Sequence, residues 1–177
     1  MTTPRTIAGC VFACAATVPA RPVTVPATPP AARVVAPAEG EALVAPNGDV
    51  VVKVDPRTGS ARLAMGTQHV VKGGGIQVHL HEHEDEILFV QGGAATGIVG
   101  ESRRALEPGS TVYIPQGVWH GIENAESSVD LVWVVSPPGL EDYFRDVRTP
   151  RGQAPRVLAP EQLEDIRRKH GMWVRAK

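Results

Sequence analysis

Short apolar segments, separated by glycine and proline, run through the middle of the chain. Between residues 50 and 135 no stretch has the period of a helix, and each apolar segment is too short to be one. The segments are rich in β-branched residues, which favours strands. We therefore predict an antiparallel sandwich or barrel with strands at residues 50–54, 60–65, 69–71, 76–81, 86–90, 96–99, 111–114, 121–122 and 131–135.

Helical periodicity begins only after the last of these strands. Leu140, Phe144 and Val147 recur at helical spacing in one short segment. In a second segment, Pro160 stands at a first-turn position and Gly171 marks the stop. The last turn of this second helix is basic, which complements the helix dipole on a solvated face, through Arg167, Arg168 and Lys169.

The first 48 residues differ in composition from the rest of the chain. Eight of the sixteen prolines lie there, so residues 21–46 are predicted to be a Pro/Ala-rich disordered linker or tail. Before it, residues 7–18 are apolar, with Arg5 upstream and small residues downstream, which is the arrangement of a secretory signal peptide over residues 1–20. The barrel is then assigned to residues 47–148, and a C-terminal extension with one helix to residues 149–177.

This N-terminal pattern predicts where the protein acts. We expect an exported protein, periplasmic or extracellular, and the alternative is a cytoplasmic protein with a disordered N-terminal tail. Both cysteines precede residue 20, so neither can link strands of the barrel.

Composition and charge narrow the class of partner. Apolar residues make up 42% and charged residues 21% of the chain, so a packed globular core is expected. The net charge of −1 argues against a nucleic-acid binder that works through bulk charge. No apolar run is long enough for a transmembrane helix. We expect a small-molecule ligand or substrate, no nucleic acid and no integral membrane segment, and a homodimer stays open.

Four side chains suited to metal binding lie in the glycine-rich middle. His79 and His81 are two residues apart, so both imidazoles leave the same face of a strand. A turn after them would bring Glu86 back to that face on a neighbouring strand, and His120 begins another strand after a Pro-x-Gly turn. Three imidazoles and one carboxylate suit one divalent first-row transition metal ion (Fe, Mn, Ni, Cu or Zn), with positions left open on an octahedral ion.

The spacing of these residues resembles the two sequence motifs of the cupin superfamily. The ten matching positions are Gly73, His79, His81, Glu86 and Gly93, then Gly109, Pro115, Gly117, His120 and Asn124. The fifteen residues between the two motifs match the short gap of microbial cupins. The resemblance, closest to single-domain bacterial cupins, implies an all-β fold: a cupin-type antiparallel β-barrel (double-stranded β-helix or jelly roll) with short C-terminal helices.

The same resemblance implies roles for the matching residues. It implies His79, His81, Glu86 and His120 as the metal ligands. The glycines would serve the turns, where they relax φ. Asn124 would hold the barrel together by hydrogen bonds.

A second His-x-His pair leaves one alternative for the ligands. His81 and His83 are also two residues apart, and Glu86 follows three residues later. The family spacing favours His79 and His81, so we interpret His83 as a solvent-exposed residue near the barrel mouth, with proton transfer as its alternative role. The acidic residues of the same turn are expected to face solvent, namely Glu82, Glu84 and Asp85.

Strand alternation predicts the lining of a pocket beside the metal. Counting in steps of two from each ligand identifies the neighbours that share its face. This inward set is Gln77, Leu88, Val90 and Ile122. Trp133 is expected on one wall, where core packing is favoured over contact with substrate. The interior is mostly apolar and lacks a cluster of Lys or Arg, which suits a small hydrophobic or aromatic ligand with one oxygen on the metal.

Three functions are compatible with this sequence. The leading one is a metal-dependent enzyme that oxygenates a small phenolic or aromatic molecule, most like the dioxygenase cupins, with Glu86 as the catalytic residue that also handles a proton. The second is an isomerase, epimerase or lyase that uses the metal as a Lewis acid. The third is a non-catalytic small-molecule-binding protein. All three stay open because a fold does not determine a function.

Overall fold

Two antiparallel sheets face each other across a common core. The structure is a computed structural model, and it describes residues 31–123 and 127–175. The strands are β1 (Glu41–Ala45), β2 (Gly48–Val54), β3 (Ala64–Val70), β4 (Gly75–His81), β5 (Asp85–Gly93), β6 (Ala95–Val99), β7 (Ser102–Leu106), β8 (Thr111–Ile114), β9 (His120–Glu123), β10 (Val129–Ser136), β11 (Thr149–Pro150) and β12 (Met172–Val174). The helices are α1 (Leu140–Val147) and α2 (Pro160–Lys169).

The chain passes repeatedly from one sheet to the other. The seven-stranded sheet has the order β11-β1-β2-β3-β10-β5-β8, and the five-stranded sheet has the order β12-β4-β9-β6-β7. Consecutive strands β4 and β5 lie in different sheets, as do β5 and β6, β7 and β8, and β9 and β10. This connectivity is the double-stranded helix of a jelly roll, so the predicted fold class is confirmed.

Alternating side chains of both sheets fill the space between them. In β10 every second residue is buried, and the largest of these is Trp133, which is fully buried with its ring 5.5 Å from the ring of Phe144. Gly66 on the paired strand β3 makes room for this indole, because a Cβ there would lie 2.5 Å from Trp133 Cζ2. A fully buried tryptophan supplies a large apolar area to the core.

Most predicted strands are present at their predicted places, but the two strands predicted at residues 60–65 and 69–71 are one strand, β3. Residues 60–63 lie outside any strand, and β3 begins at Ala64. The predicted turn before them is present as a short 3-10 helix, Pro56–Thr58. Its geometry is held by Asp55, whose side chain accepts a hydrogen bond from the Thr58 backbone N–H at 2.9 Å.

Four strands are not predicted by the sequence, and one of them corrects a boundary. β1 pairs with β2 although it lies inside residues 21–46, which the sequence assigns to the linker, so the barrel begins before residue 47. β7 is polar and mostly exposed because it is an edge strand, and therefore it carries no apolar signal. The short strands β11 and β12 belong to the C-terminal extension and pair with β1 and β4.

Part of the predicted organisation falls outside the described residues. This applies to the signal peptide at residues 1–20, to residues 21–30 of the linker and to Asn124. In the described ranges, no helix has the length and apolar character needed to cross a bilayer. Both predicted helices are present, at α1 and α2.

Candidate metal centre

Four buried side chains converge at one point inside the barrel. His79, His81, Glu86 and His120 each offer one ligand atom, and these atoms all lie within 4.8 Å of one another. The structure thus brings together the four residues that the sequence predicts as ligands.

Both sheets contribute to this cluster. His79 and His81 lie on β4, and His120 lies on the paired strand β9, directly opposite His79. Glu86 lies on β5 in the other sheet, so it faces the histidines from across the barrel. The sequence predicts that the chain reverses after His81 and that Glu86 lies on a strand beside β4. This prediction is wrong. After His81 the chain does not form a hairpin with β4 but crosses to the seven-stranded sheet.

Backbone carbonyl groups orient two of the imidazole rings. The Nδ1 atom of His79 lies 2.7 Å from the Gln77 carbonyl oxygen, and the Nδ1 atom of His120 lies 2.9 Å from the Val118 carbonyl oxygen. An Nδ1–H that donates to a carbonyl leaves a lone pair on Nε2. Both rings are therefore oriented with Nε2, the atom that would bind a metal, toward the cluster.

The distances within the cluster suit a bound cation. The Nε2 atoms of His79 and His81 are 3.2 Å apart, and Glu86 Oε2 lies 3.4 Å from His81 Nε2 and 3.0 Å from His120 Nε2. Despite this proximity, the buried Nε2 of His120 makes no hydrogen bond of acceptable geometry within the described part of the chain. A buried polar atom without a partner is costly, and a cation among these donors would satisfy it. Three nitrogens and one oxygen also form the donor set of a divalent transition metal.

Burial and mutual proximity set the protonation states of the cluster. Burial, together with the neighbouring His120 and His81, lowers the pKa of His79 to about 3. Burial by itself would raise the pKa of Glu86, but His120 and His81 outweigh it and hold that pKa well below its ordinary value. At neutral pH, His79 is thus a neutral imidazole and Glu86 a carboxylate, which are the forms that bind metal.

Two motif glycines shape the turns around the cluster. Gly117, with φ of 76°, lies in the turn before His120, and its N–H donates to the His81 carbonyl oxygen at 2.7 Å. At Gly93, with φ of 77°, a Cβ would lie 1.9 Å from the Ser128 carbonyl oxygen. Both positions have the positive φ that the cupin resemblance implies.

The turn between β4 and β5 holds the other acidic and histidine candidates. His83 is exposed and lies outside the cluster, as do the exposed Glu82 and Asp85. The prediction for Glu84 is wrong, because this residue is only 5% exposed and burial raises the pKa of its carboxyl. Its side chain lies against the start of α1, where a Cβ at Gly139 would come within 2.3 Å of Glu84 Oε1.

The cluster forms part of the wall of a cavity of about 290 Å³. Leu88 and Ile122 line it as predicted. Gln77 also lines it, but its exposed side chain accepts a hydrogen bond from Arg167 at 3.0 Å and does not join the cluster. Val90 and Trp133 are corrections to the predicted lining, because neither lines the cavity. Both are fully buried in the core, so the core packing favoured for Trp133 is confirmed.

The C-terminal extension and α1 form a wall that the sequence does not predict. The residues that they contribute include Leu140, Tyr143, Phe144, Leu163 and Met172. Arg148 and Arg167 line the cavity as well, so the expectations of an interior without basic residues and of a solvated Arg167 are wrong. Arg167 follows Leu163 by four residues, so helical periodicity could have placed both on one face.

Comparison with known proteins agrees with this architecture. Residues 66–137 match the family model described as Cupin domain. An RmlC-like cupin from Shewanella frigidimarina is similar in structure, with a TM-score of 0.54 and 17% identity over 63% of this chain and 96% of that one. A protein described as a predicted oxalate decarboxylase, from Thermotoga maritima, gives a TM-score of 0.53 and 16% identity over 59% and 98% of the two chains. At these identities the similarity shows the fold alone.

The barrel and the two motifs agree with the domain match, so residues 66–137 are similar to a cupin domain. An uncharacterized protein of Streptomyces coelicolor is 36% identical over 55 residues, which is 31% of this chain. The chain thus spans about half (52%) of the length of this curated relative.

Proposed function

We propose that the protein is a metal-dependent enzyme that oxygenates a small phenolic or aromatic molecule. The observation that carries the proposal is the position of the four-residue cluster in the wall of a cavity. A structural ion is normally enclosed by its ligands, whereas a catalytic ion keeps a position open toward a substrate. The apolar side chains around this cavity suit a small ring-containing molecule.

The residues of the site have different roles in the proposed reaction. His79, His81 and His120 would hold the ion together with Glu86, and the carbonyl groups of Gln77 and Val118 keep two of the rings oriented. A bound divalent transition metal supplies a Lewis acid and, where it is redox-active, a site for oxygen.

The cavity and one carboxylate supply the rest of the proposed chemistry. Leu88, Ile122 and Phe144 exclude water from the cavity wall and contact the apolar part of the substrate. The Glu86 carboxylate accepts or returns a proton at the substrate oxygen.

Metal analysis followed by oxygen uptake tests this proposal. Protein purified from its native compartment should contain about one transition metal ion per chain and should consume oxygen with members of a panel of phenols. His120→Ala should abolish both properties, and the matched control His83→Ala should retain both because His83 lies outside the cluster.

The result also distinguishes the alternative functions. A full complement of metal without oxygen uptake would contradict the dioxygenase proposal, and conversion of a substrate without oxygen would then identify an isomerase, epimerase or lyase. Ligand binding without any conversion would identify a non-catalytic binding protein.

A further inference from the structure

Two arginine side chains line the cavity, and the chemistry proposed above uses neither. Arg148 directly follows α1, and Arg167 lies within α2. Both lie beyond residues 66–137, the part of the chain that matches the cupin domain. The two arginines therefore belong to the C-terminal region of this chain and not to the matched domain.

Arg148 is a buried cation that has no ion-pair partner among the described residues. Its guanidinium lies 5.6 Å from the centre of the Phe144 ring, and the charge of Asp49 acts on it from a greater distance. The residue is 6% exposed, and its guanidinium stays protonated at neutral pH although burial lowers its pKa. Within residues 31–123 and 127–175, its hydrogen bond is from Nη1 to the Gly48 carbonyl oxygen at 2.6 Å, and it forms no ion pair. Asp49, next to Gly48, pairs with Arg151 at 2.9 Å. A buried charge is costly unless an opposite charge accompanies it, so this guanidinium is suited to bind an anion.

Arg167 offers further donors on the same cavity. Its Nη2 donates to Gln77 Oε1 at 3.0 Å, and its Nη1 lies 3.8 Å from Glu164 Oε2. A further donor, Nε, is buried and has no hydrogen-bond partner among the described residues. The side chain is thus held in place by Gln77 while one buried N–H stays available.

The charge of the cavity wall is positive. Glu86 is the one acidic residue among the described residues that line the cavity, and two arginines outweigh it. A divalent cation held by the cluster would increase the excess of positive charge. The wall is otherwise largely apolar, with contributions from Leu88, Ile122, Leu140, Phe144 and Met172.

We infer that the ligand of this cavity is a small carboxylic acid with an apolar or aromatic frame, whose carboxylate pairs with Arg148 and Arg167. A guanidinium matches a carboxylate with two parallel hydrogen bonds. In the metal-free cavity the two arginines and Glu86 leave a single positive charge. A carboxylate monoanion balances this charge, whereas a phosphate dianion would exceed it. The inference rests on the proposed function in one respect, because the same ligand would reach the metal cluster.

Paired titrations of one ring system test this inference. The probes are 2-hydroxybenzoate and 2-hydroxybenzamide, which have similar shapes and differ in charge, and the protein is loaded with redox-inert Zn(II). Isothermal titration calorimetry should show that the carboxylate binds about tenfold or more tightly than the amide, since a hydrogen bond to a charged group is stronger than one to a neutral group. Arg148→Gln and Arg167→Gln should each reduce this preference, and the exposed control Arg151→Gln should leave it unchanged.

Each other outcome has a defined meaning. Equal binding of the two probes, binding of neither probe, or an unchanged preference in Arg148→Gln would overturn the inference, as would tighter binding of phenyl phosphate to the metal-free protein. If circular dichroism shows that Arg148→Gln does not fold, Arg148→Lys decides, because it keeps the charge and should keep a preference for the carboxylate.

The metal-free protein separates this inference from the proposed function. Both arginines belong to the chain itself, so the charge preference and its loss in Arg167→Gln should also be measurable without metal. A protein that holds no metal but shows the preference would contradict the proposed function alone. A protein that holds metal but shows no preference would contradict this inference alone.

Discussion

At the scale of the residue, the direction of a few atoms decides whether the cluster can hold a cation. Strand alternation puts His79 and His81 on one face of β4, and pairing with β9 puts His120 opposite His79. Hydrogen bonds from Nδ1 to backbone carbonyls then direct the Nε2 lone pairs of His79 and His120 into the barrel. The carboxylate of Glu86 completes the donor set from the opposite sheet.

The ligand set leads to the first prediction. Loss of a residue that hydrogen-bonds to a metal ligand lowers metal affinity ~10–100-fold. His81→Ala or His120→Ala removes a ligand itself, so each should lower the affinity by more than this. His83→Ala should leave the metal content near normal, because His83 is exposed and lies outside the cluster. Metal content after dialysis, measured by plasma mass spectrometry, checks both expectations. Metal retained in His79→Ala and lost in His83→Ala would show that the ligand pair is shifted by one step.

At the scale of the element, α1 is attached to the barrel by a charged contact as well as by its apolar face. Leu140 and Phe144 are buried in the core. Arg145 contacts the fully buried Asp55 at the end of β2 and lies 2.7 Å from Glu41 on β1. Because α1 also forms part of the cavity wall, this contact links the stability of the barrel to the shape of the site.

This contact leads to the second prediction. Asp55→Asn should lower the free energy of unfolding by about 2–3 kcal/mol, because it leaves part of the Arg145 charge without its buried partner. Asp142→Asn is the matched control, since Asp142 is 57% exposed and pairs with the same Arg145 at 2.8 Å, and it should cost less than about 0.5 kcal/mol. Urea denaturation of the three proteins measures both differences. Equal effects of the two substitutions would contradict the prediction.

The same ion pair predicts a dependence on pH. Burial by itself would raise the pKa of Asp55, but the hydrogen bond and charge of Arg145 outweigh it and hold the pKa below its ordinary value of 3.8. A carboxyl with a lowered pKa in the folded state stabilises the protein fully above the ordinary value and loses this contribution as the pH falls through the folded-state pKa. The stability difference between wild type and Asp55→Asn should therefore be constant near neutral pH and shrink below pH 3.8. A difference that instead grows in acid would contradict this assignment.

At the scale of the whole molecule, two sheets share one apolar core, and the candidate metal centre lies to one side of it. The core cluster contains residues from both sheets and from α1, so its burial does not depend on an ion. The cavity is bounded by the barrel on one side and by α1, α2 and β12 on the other. Folding and metal binding are therefore expected to be linked but separable.

Removal of metal tests this separation. Chelated protein should keep the circular dichroism of a β-protein and melt at a lower temperature, because an ion that binds only the folded state contributes about 2.7 kcal/mol at a hundredfold excess over its Kd. Fe(II), Mn(II), Ni(II) and Zn(II) should each restore occupancy, with different activities. Unfolding of the chelated protein would instead indicate a structural ion and weaken the enzyme proposal.

Export is the last prediction at this scale. The apolar segment at residues 7–18 and the proline-rich stretch after it lead us to propose cleavage near Ala15 or Ala20. Mass spectrometry of the N-terminus of the protein from its native host measures this directly. A chain that begins at Met1 or Thr2 in cytoplasmic protein would rule the proposal out.

Much of the candidate site could be predicted from the sequence because it depends on local relations. The shared face of His79 and His81 follows from strand alternation, and the turn before His120 follows from a proline and a glycine with positive φ. The buried alternation of the central strands likewise predicts the barrel, whereas polar β7 and short β1 carry no such signal. Their pairing is supplied by neighbouring strands and not by their own composition.

The remaining features depend on contacts between distant parts of the chain. Glu86 faces the histidines from the opposite sheet, and Glu84 is buried against the start of α1. Trp133 is buried in the core and does not line the cavity. Arg148 and Arg167 reach the cavity only because the C-terminal extension packs over the barrel and adds β12 to its sheet. The sequence by itself determined most of the strands and the four candidate ligands, since alternation and turn geometry act over a few residues. Only the tertiary structure decided which sheet holds each ligand and which charges line the cavity, because burial depends on what packs against a residue.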